Sequence, residues 1–219
     1  MRKIFYFSLF TFLFSLFLPI NSPAFAKKGK DIIKEVKKKY DGLTSLQADF
    51  VQTFKWELVG EMQSVKGTIY LMAGNHYRIE TEDQVVVTDG ATVWTYSKRN
   101  QQVIVDLLDK SQENSLPKDL LFKYSEDYTP ILLGEVMFDD RKTYQLNLIP
   151  KDEDAFIKSM KIWVDASNWF TTKIEQVDIN DNVNTYILRN IRENIELDPT
   201  IFKFEIPEDA EVVDLRESE

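Results

Sequence analysis

Apolar and polar residues alternate along most of the chain from residue 46 onward. In residues 46–58 the even positions are mainly hydrophobic or aromatic, including Phe50 and Trp56, whereas the odd positions are mainly polar. A period of two predicts a long β-strand with one apolar face. Residues 65–72 alternate in the same way after a turn at Gly60. These segments predict two long antiparallel strands that begin a large curved sheet.

The same pattern predicts shorter strands along the rest of the chain. Asp89-Gly90 separates two of them, and this dipeptide is typical of a tight hairpin. The shorter strands are expected at residues 76–82, 84–88, 92–97, 101–105, 143–149, 156–164, 169–179, 183–192 and 201–205. The pattern therefore predicts one mainly β (α+β) domain with roughly ten or eleven strands.

Two segments have a helical rather than a strand pattern. Residues 27–43 place Ile32, Val36 and Tyr40 on one side and lysines on the other, which predicts an amphipathic helix that packs on the sheet. Residues 107–135 have helix signals and apolar residues, and we expect this segment to lie across one face of the sheet as a lid. The lid candidates are Leu116, Leu120, Leu121, Tyr124, Ile131, Leu132 and Leu133.

The first 26 residues have the features of a cleaved signal peptide. Arg2 and Lys3 precede a short apolar run, and Ala24 and Ala26 give the small-residue pattern that signal peptidase cuts. A retained membrane anchor is the alternative, but the apolar run is short for a membrane span. We predict export with cleavage near Ala26, which leaves residues 27–219 as the mature domain.

Composition restricts the chemistry. The net charge of −9 argues against nucleic acid as a partner, and the absence of cysteine excludes disulfides. With no cysteine and His76 as the one histidine, zinc sites built from several such ligands are excluded and a serine–histidine triad is not favoured. We predict no metal, no cofactor and no enzymatic activity. Acids are numerous, so a carboxylate-based hydrolase stays open as an alternative.

The apolar sheet face has two interpretations. It is either a filled core or the wall of a cavity, and alternation alone does not distinguish them. The cavity candidates are Phe50, Phe54, Trp56, Ile69, Leu71, Tyr77, Ile79, Trp94, Tyr96, Met160, Ile162 and Val164.

Several motifs occur in an order that resembles the periplasmic outer-membrane lipoprotein carrier family, the LolA-like proteins. Residues 45–52 (SLQADFVQ) resemble the opening strand of that family. Asp89-Gly90 followed by Val93, Trp94 and Tyr96 resembles its hairpin motif, and residues 202–207 (FKFEIP) resemble its final segment. The resemblance covers nearly all of the chain after the signal peptide.

This resemblance implies a fold and a function. The fold would be an open, strongly curved antiparallel β-barrel closed by a helical lid and an N-terminal helix. The function would be that of a periplasmic chaperone that shields the acyl chains of lipoproteins in a hydrophobic cavity. The implied partners are acylated lipoproteins, an inner-membrane ABC transporter complex and an outer-membrane acceptor lipoprotein, and we expect a monomer.

One position departs from the family pattern. Members often have an arginine that holds the lid closed where this chain has Ala73 and Gly74. This departure leaves open the alternative that the protein carries another amphiphilic lipid. A periplasmic binding or sensor protein of similar shape is a further alternative.

Overall fold

Twelve strands form one continuous sheet in the computed structural model, which describes residues 28–108 and 127–216. One α-helix, α1 (Gly29–Asp41), precedes the sheet, and a short 3-10 helix spans Pro199–Phe202. The strands are β1 (Ser45–Trp56), β2 (Glu61–Met72), β3 (His76–Thr81), β4 (Gln84–Asp89), β5 (Thr92–Ser97), β6 (Gln102–Leu107), β7 (Tyr128–Phe138), β8 (Arg141–Pro150), β9 (Ile157–Asp165), β10 (Thr171–Asp178), β11 (Val183–Glu193) and β12 (Glu211–Asp214).

The strand order is β12-β6-β5-β4-β3-β2-β1-β11-β10-β9-β8-β7. Strands β1–β6 and β7–β11 are two antiparallel meanders, and the pairing of β1 with β11 joins them. The final strand, β12, pairs with β6 in parallel. Because β7 and β12 are edges that do not pair with each other, the sheet stays open. The predicted open, mainly β fold is therefore confirmed.

The predicted hairpin at Asp89-Gly90 connects β4 and β5. Gly90 has a φ of 94°, a conformation that a residue with a side chain rarely adopts. The Asp89 carboxylate accepts hydrogen bonds from the backbone N–H groups of Ala91 and Thr92, at 3.0 and 2.9 Å. The local sequence thus fixes the turn, and the turn fixes the register of the two strands.

Register divides the residues of the sheet into two faces, because directly paired residues of neighbouring strands share a face. Ala48 pairs with Ile69, and Ile69 pairs with Ile79. These residues belong to the face on which α1 packs, which we call the inner face. Tyr70 pairs with Arg78 on the opposite, outer face.

Helix α1 packs its apolar stripe on the inner face of one half of the sheet. Ile32 and Val36 are fully buried. The helix starts beside β7, since a Cβ on Gly29 would lie 2.6 Å from the carbonyl oxygen of Pro130. It ends where the ring of Tyr40 contacts that of Phe170, next to β10, with centroids 5.4 Å apart. The buried sheet residues of this core are Leu46, Ala48, Ile69, Tyr144, Leu146, Leu148, Met160, Ile162, Val164, Ile174 and Leu188.

The segment that follows β11 covers part of the outer face. Phe202 is buried and its ring contacts His76 of β3 at a centroid distance of 5.7 Å. The Arg78 guanidinium donates a hydrogen bond to the carbonyl oxygen of Ile201 at 3.0 Å. Phe204 stacks on Trp94 of β5 at 6.4 Å. The segment thus crosses the outer face before β12 joins the edge.

The prediction of a strand at residues 201–205 is wrong. The 3-10 helix runs to Phe202, and the last strand is β12 instead. Pro199 lies in the first turn of that helix, and the Asp198 carboxylate caps it by accepting a hydrogen bond from Thr200 N–H at 2.9 Å. These capping interactions outweigh the alternating pattern of the segment.

The assignment of Ile131, Leu132 and Leu133 to a helical lid is also wrong. They lie in β7, where Leu132 pairs with Leu146 of β8. Pro130 is tolerated because β7 is an edge strand. The other lid candidates, Leu116, Leu120, Leu121 and Tyr124, lie outside the described residues, as does the predicted signal peptide at residues 1–26.

Candidate functional site

An open cavity of about 900 Å³ lies on the inner face, next to the core that α1 covers. Ile69 and Leu188 belong both to that core and to the lining of the cavity. The volume is at the upper end of the roughly 300–1,000 Å³ typical of ligand pockets. Its apolar lining residues, which we call the apolar wall, are Phe50, Val65, Ile69, Tyr77, Ile79, Val86 and Leu188.

Gly67 shapes the apolar wall because it lets the Phe50 ring approach β2 closely. The two residues are directly paired across β1 and β2. A Cβ on Gly67 would lie 2.1 Å from the carbonyl oxygen of Glu80 and 2.7 Å from the Phe50 ring. Real Cβ atoms do not tolerate such distances, so the conformation of the wall at this point requires glycine.

The mouth of the cavity is polar. It lies at the turn between β3 and β4 and at the turn between β5 and β6, where an exposed ion pair joins Arg99 to Asp83 at 3.2 Å. The Lys98 ammonium also donates a hydrogen bond to the carbonyl oxygen of Thr81 at 2.8 Å. The polar lining residues are Gln52, Gln63, Ser64, Lys66, Thr81, Glu82, Asp83, Gln84, Ser97, Arg99, Asn100 and the phenol of Tyr186. An apolar wall with a polar mouth fits an amphiphile whose tail enters first.

Three hydrogen-bonded polar side chains lie beside the apolar wall. They are Gln52, Asn184 and Tyr186, and we call them the amide–phenol cluster. The Gln52 amide donates to the Asn184 side-chain oxygen at 3.2 Å and to the Tyr186 hydroxyl at 3.1 Å. The Asn184 amide donates to the same hydroxyl at 2.8 Å. Gln52 and Tyr186 are directly paired on β1 and β11, and both line the cavity.

The tyrosines of the cavity are neutral at physiological pH, and burial moves their pKa values further from it. Burial raises the pKa of Tyr77 to about 12. It also raises the pKa of Tyr186, although the hydrogen bond from Asn184 acts in the opposite direction. Both phenols therefore remain protonated hydrogen-bond donors, and they place no charge on the wall.

Comparison with known proteins identifies the family. The model of the family described as outer membrane lipoprotein carrier protein LolA matches residues 41–205. The chain belongs to the LolA family.

Individual relatives agree with this assignment. An outer-membrane lipoprotein carrier protein of Pasteurella multocida is 29% identical over 210 residues, which cover 94% of this chain and 96% of the relative. An uncharacterized protein of Methanocaldococcus jannaschii is 29% identical over 190 residues, which cover 84% of this chain. The match spans 53% of that archaeal relative, so this chain corresponds to about half its length.

A solved structure shows the same fold. The crystal structure of an uncharacterized conserved protein from Thermus thermophilus superposes with a TM-score of 0.59 at 16% identity. The superposition covers 84% of this chain and 98% of that one. The LolA-family fold assigned from sequence therefore has a counterpart among solved structures.

Four of the predicted cavity residues line the cavity of this LolA-family protein. They are Phe50, Ile69, Tyr77 and Ile79. They come from β1, β2 and β3, whose inner-face residues the alternation predicts correctly. Their role in binding acyl chains stays a prediction.

Other candidates lie on the inner face but outside the cavity. Met160, Ile162 and Val164 are buried in the core beneath α1, and Leu71 packs against that core. Phe54 and Trp56 contact each other near the end of β1, with ring centroids 4.6 Å apart, and neither lines the cavity. Sequence alternation predicts their face but not whether the face is covered.

The placement of Trp94 and Tyr96 in the cavity is corrected by the structure. Trp94 pairs with Val87, and Val87 pairs with Arg78 of the outer face. Both aromatic rings contact Phe204, at 6.4 and 6.0 Å, on the side of the sheet away from the cavity. Alternation shows that Trp94 and Tyr96 share one face of β5, but it does not show on which side of the sheet that face lies.

Tyr186 and Leu188 of the cavity lining were not predicted from the sequence, because β11 reaches the site only through its long-range pairing with β1. Nor were Val65 and Val86, which are half-buried members of the predicted alternation. Gln52 occupies the same alternating positions as Phe50 and Phe54, which indicates the inner face. Its polar side chain, however, argued against a place in an apolar cavity.

The structure also bears on metal sites and membrane spans. Within residues 28–108 and 127–216, no three histidine, cysteine, aspartate or glutamate side chains are grouped to hold a metal ion. His76 lies on the outer face, with Nδ1 3.0 Å from the Ala73 carbonyl oxygen. None of the helices in this described part of the chain has the length and apolar character that a membrane span needs.

Proposed function

We propose that this protein is a periplasmic carrier that shields the acyl chains of lipoproteins. The observation that supports the proposal most strongly is the open cavity of about 900 Å³, with its apolar wall, in a chain of the LolA family. Burying hydrocarbon in such a cavity is favourable by about 0.8 kcal/mol per methylene. The protein would bind and release its cargo without changing it covalently.

The arrangement of wall and mouth supports one orientation of the cargo. Acyl chains would lie against the apolar wall, while the peptide part of the lipoprotein would remain in solvent near the polar mouth. The exposed Arg99–Asp83 pair at the mouth favours a hydrated head over a hydrocarbon tail. Lipoproteins combine both parts in one molecule.

The free-energy cost of extracting acyl chains from a membrane supports separate donor and acceptor partners. Extracting several long acyl chains from a bilayer costs tens of kcal/mol at about 0.8 kcal/mol per methylene. Affinity of a soluble cavity that must later release its cargo does not supply this energy. We therefore propose an inner-membrane ABC transporter complex as the donor and an outer-membrane lipoprotein as the acceptor. The signal-peptide pattern of residues 1–26 supports export to the periplasm.

A carrier of another amphiphilic lipid is the second candidate. It is favoured by the turn between β2 and β3, where Ala73 and Gly74 occupy the position at which the family often has arginine. Gly74 and Asn75 have φ values of 82° and 64°, so the backbone there forms a tight turn. A different latch or a different cargo would accompany this change.

The variant Ile79→Asp tests the cavity. A carboxylate in the apolar wall should weaken binding of a triacylated lipopeptide at least tenfold, because burying a charge beside hydrocarbon is costly. Fluorescence of the labelled lipopeptide measures the binding, and thermal unfolding checks the fold. The control is Met62→Asp, since Met62 is 71% exposed and lies outside the cavity lining. Unchanged binding by folded Ile79→Asp would refute the proposal.

Mass spectrometry of protein purified from periplasm distinguishes the two candidates. Acylated peptides released from the purified protein are the result expected for a lipoprotein carrier. Lipids without peptide would favour the second candidate. The Ile79→Asp variant should lose either cargo, so it serves as the matched control for adventitious lipid.

A further inference from the structure

Given the proposed function, on which this inference rests, we propose that the amide–phenol cluster recognises the ester carbonyl of an acyl chain. The hydroxyl proton of Tyr186 is the group that would donate to the carbonyl oxygen. Gln52 and Asn184 position that hydroxyl. The cavity would thereby distinguish ester-linked acyl chains from hydrocarbon chains that lack a carbonyl.

The hydrogen-bond geometry leaves the proton of Tyr186 available. Its oxygen accepts hydrogen bonds from the amides of Asn184 and Gln52, at 2.8 and 3.1 Å. A phenol oxygen has one proton to donate, and with two amide N–H groups pointing at the oxygen that proton must point elsewhere. A hydroxyl that accepts hydrogen bonds is also a stronger donor. The cluster is therefore arranged to meet an acceptor.

The position of the cluster fits the polar end of an acyl chain. Along β1 and β11, the neighbouring inner-face pair is Phe50 with Leu188, which belongs to the apolar wall. The pair beyond Gln52 and Tyr186 is Phe54 with Asn184, and neither of these two residues lines the cavity. The hydroxyl thus lies where the apolar wall ends, so a chain whose methylenes contact Phe50 would bring its carbonyl to the cluster.

The acceptor is expected to be a neutral carbonyl rather than an anion. The phenol of Tyr186 is protonated at physiological pH, as tyrosines ordinarily are, and the amides of Gln52 and Asn184 carry no charge. A carboxylate or phosphate would need a cation, and in the described part of the lining the cationic residues are Lys66 and Arg99, near the mouth. A carbonyl oxygen needs one good donor, which the Tyr186 hydroxyl supplies.

A pair of matched ligands tests this recognition. Dioctanoylglycerol has two ester carbonyls, whereas the dioctyl ether of glycerol has the same arrangement of chains without them. Calorimetric titration of the intact protein should show about five- to tenfold tighter binding of the ester, which is the worth of one net hydrogen bond. The ether measures the contribution of the hydrocarbon alone.

The variant Tyr186→Phe removes the donor and keeps the ring. It should weaken binding of the ester to the level of the ether and leave binding of the ether unchanged. The control is Tyr70→Phe, which removes a hydroxyl from the outer face of β2. The infrared band of an isotope-labelled ester carbonyl should move to lower frequency when the wild-type protein binds it, and this shift should disappear in Tyr186→Phe.

The possible outcomes distinguish a failure of the carbonyl site from a failure of the proposed carrier function. Binding of both ligands without preference for the ester, or a preference that survives in Tyr186→Phe, would overturn the carbonyl site and leave the carrier function standing. Failure of the wild-type protein to bind either ligand would overturn both. Loss of ether binding in Tyr186→Phe would show a packing role of the hydroxyl and would also overturn the carbonyl site.

Discussion

The two halves of the inner face share an alternating pattern of apolar residues, but these residues lie in different environments. Under α1, residues such as Leu146, Leu148 and Ile162 are fully buried and pack into a core. Across β2, β3 and β4, residues such as Ile79 and Val86 are half-buried and line an open cavity. Both halves consist of strands with alternating apolar residues.

Alternation therefore specifies which side chains share a face, whereas a covering element decides whether that face becomes a core. A strand period of two puts apolar side chains on one side of the sheet in both halves. In the described residues only one half receives the stripe of Ile32, Ile33 and Val36 from α1. Among the described residues the other half lacks such a helix, and its apolar side chains border the open cavity.

The strongest test compares the same kind of substitution at one residue of each half. Ile162→Ala should lower the free energy of unfolding by about 2–5 kcal/mol, because it leaves a closed cavity in the core. Ile79→Ala should lower it by only about 1 kcal/mol, since the side chain already borders open space and mainly the transfer term is lost. Urea denaturation measures both values. Equal losses would contradict the contrast between the halves.

A smaller effect tests how the open half is built. Gly67→Ala should destabilise the protein by about 1–3 kcal/mol, because the new Cβ would displace either β3 or the Phe50 ring. The matched control is Gly42→Ala at the end of α1, where the nearest atom would be 3.5 Å away and φ is negative. That variant should change stability by less than about 1 kcal/mol. A tolerated Gly67→Ala would mean that the wall adapts more freely than the close approach implies.

A still weaker effect is expected at Asp165, which ends β9 next to the core residue Val164 and pairs with Thr143. Burial alone would raise the pKa of the Asp165 carboxyl, but hydrogen bonds from Ser167 and Arg141 outweigh it and hold this pKa below its usual value. The distances are 2.8 Å to Ser167 N, 2.6 Å to Ser167 Oγ and 3.3 Å to Arg141 Nη1. A lowered pKa stabilises the fold above the unfolded value of about 3.9, and this contribution is lost as the pH falls below it.

Asp165→Asn should therefore cost up to about 1 kcal/mol at neutral pH, since Arg141 is half exposed and the ion pair is screened. The cost should shrink as the pH falls below about 4, because the wild-type carboxylate becomes protonated. Urea denaturation at several pH values measures it. Parallel stability curves for the two proteins would show that the charge of Asp165 does not contribute.

The site itself was only partly predictable from sequence. Phe50, Ile69, Tyr77 and Ile79 followed from alternation along strands that are neighbours in the chain. Tyr186 did not, because its partner Gln52 is 134 residues away and nothing local indicates that β11 pairs with β1. Trp94 and Tyr96 have the right composition for a cavity, yet Phe204 contacts them on the outer face.

Elements that depend on interactions between residues close together in the chain could be predicted from the sequence. Side chains two residues apart share a strand face, those three or four apart share a helix face, and Asp89-Gly90 closes a hairpin through its own backbone. The sequence also contains the motifs that identify the LolA family.

Which face of the sheet is covered, and by which segment, follows from the three-dimensional fold and not from the local pattern. That outcome depends on contacts between distant segments, such as β1 with β11 and α1 with β7. Their free energies come from surfaces that meet only after the chain has folded. The same alternating pattern therefore became a packed core beneath α1 and the wall of an open cavity next to it.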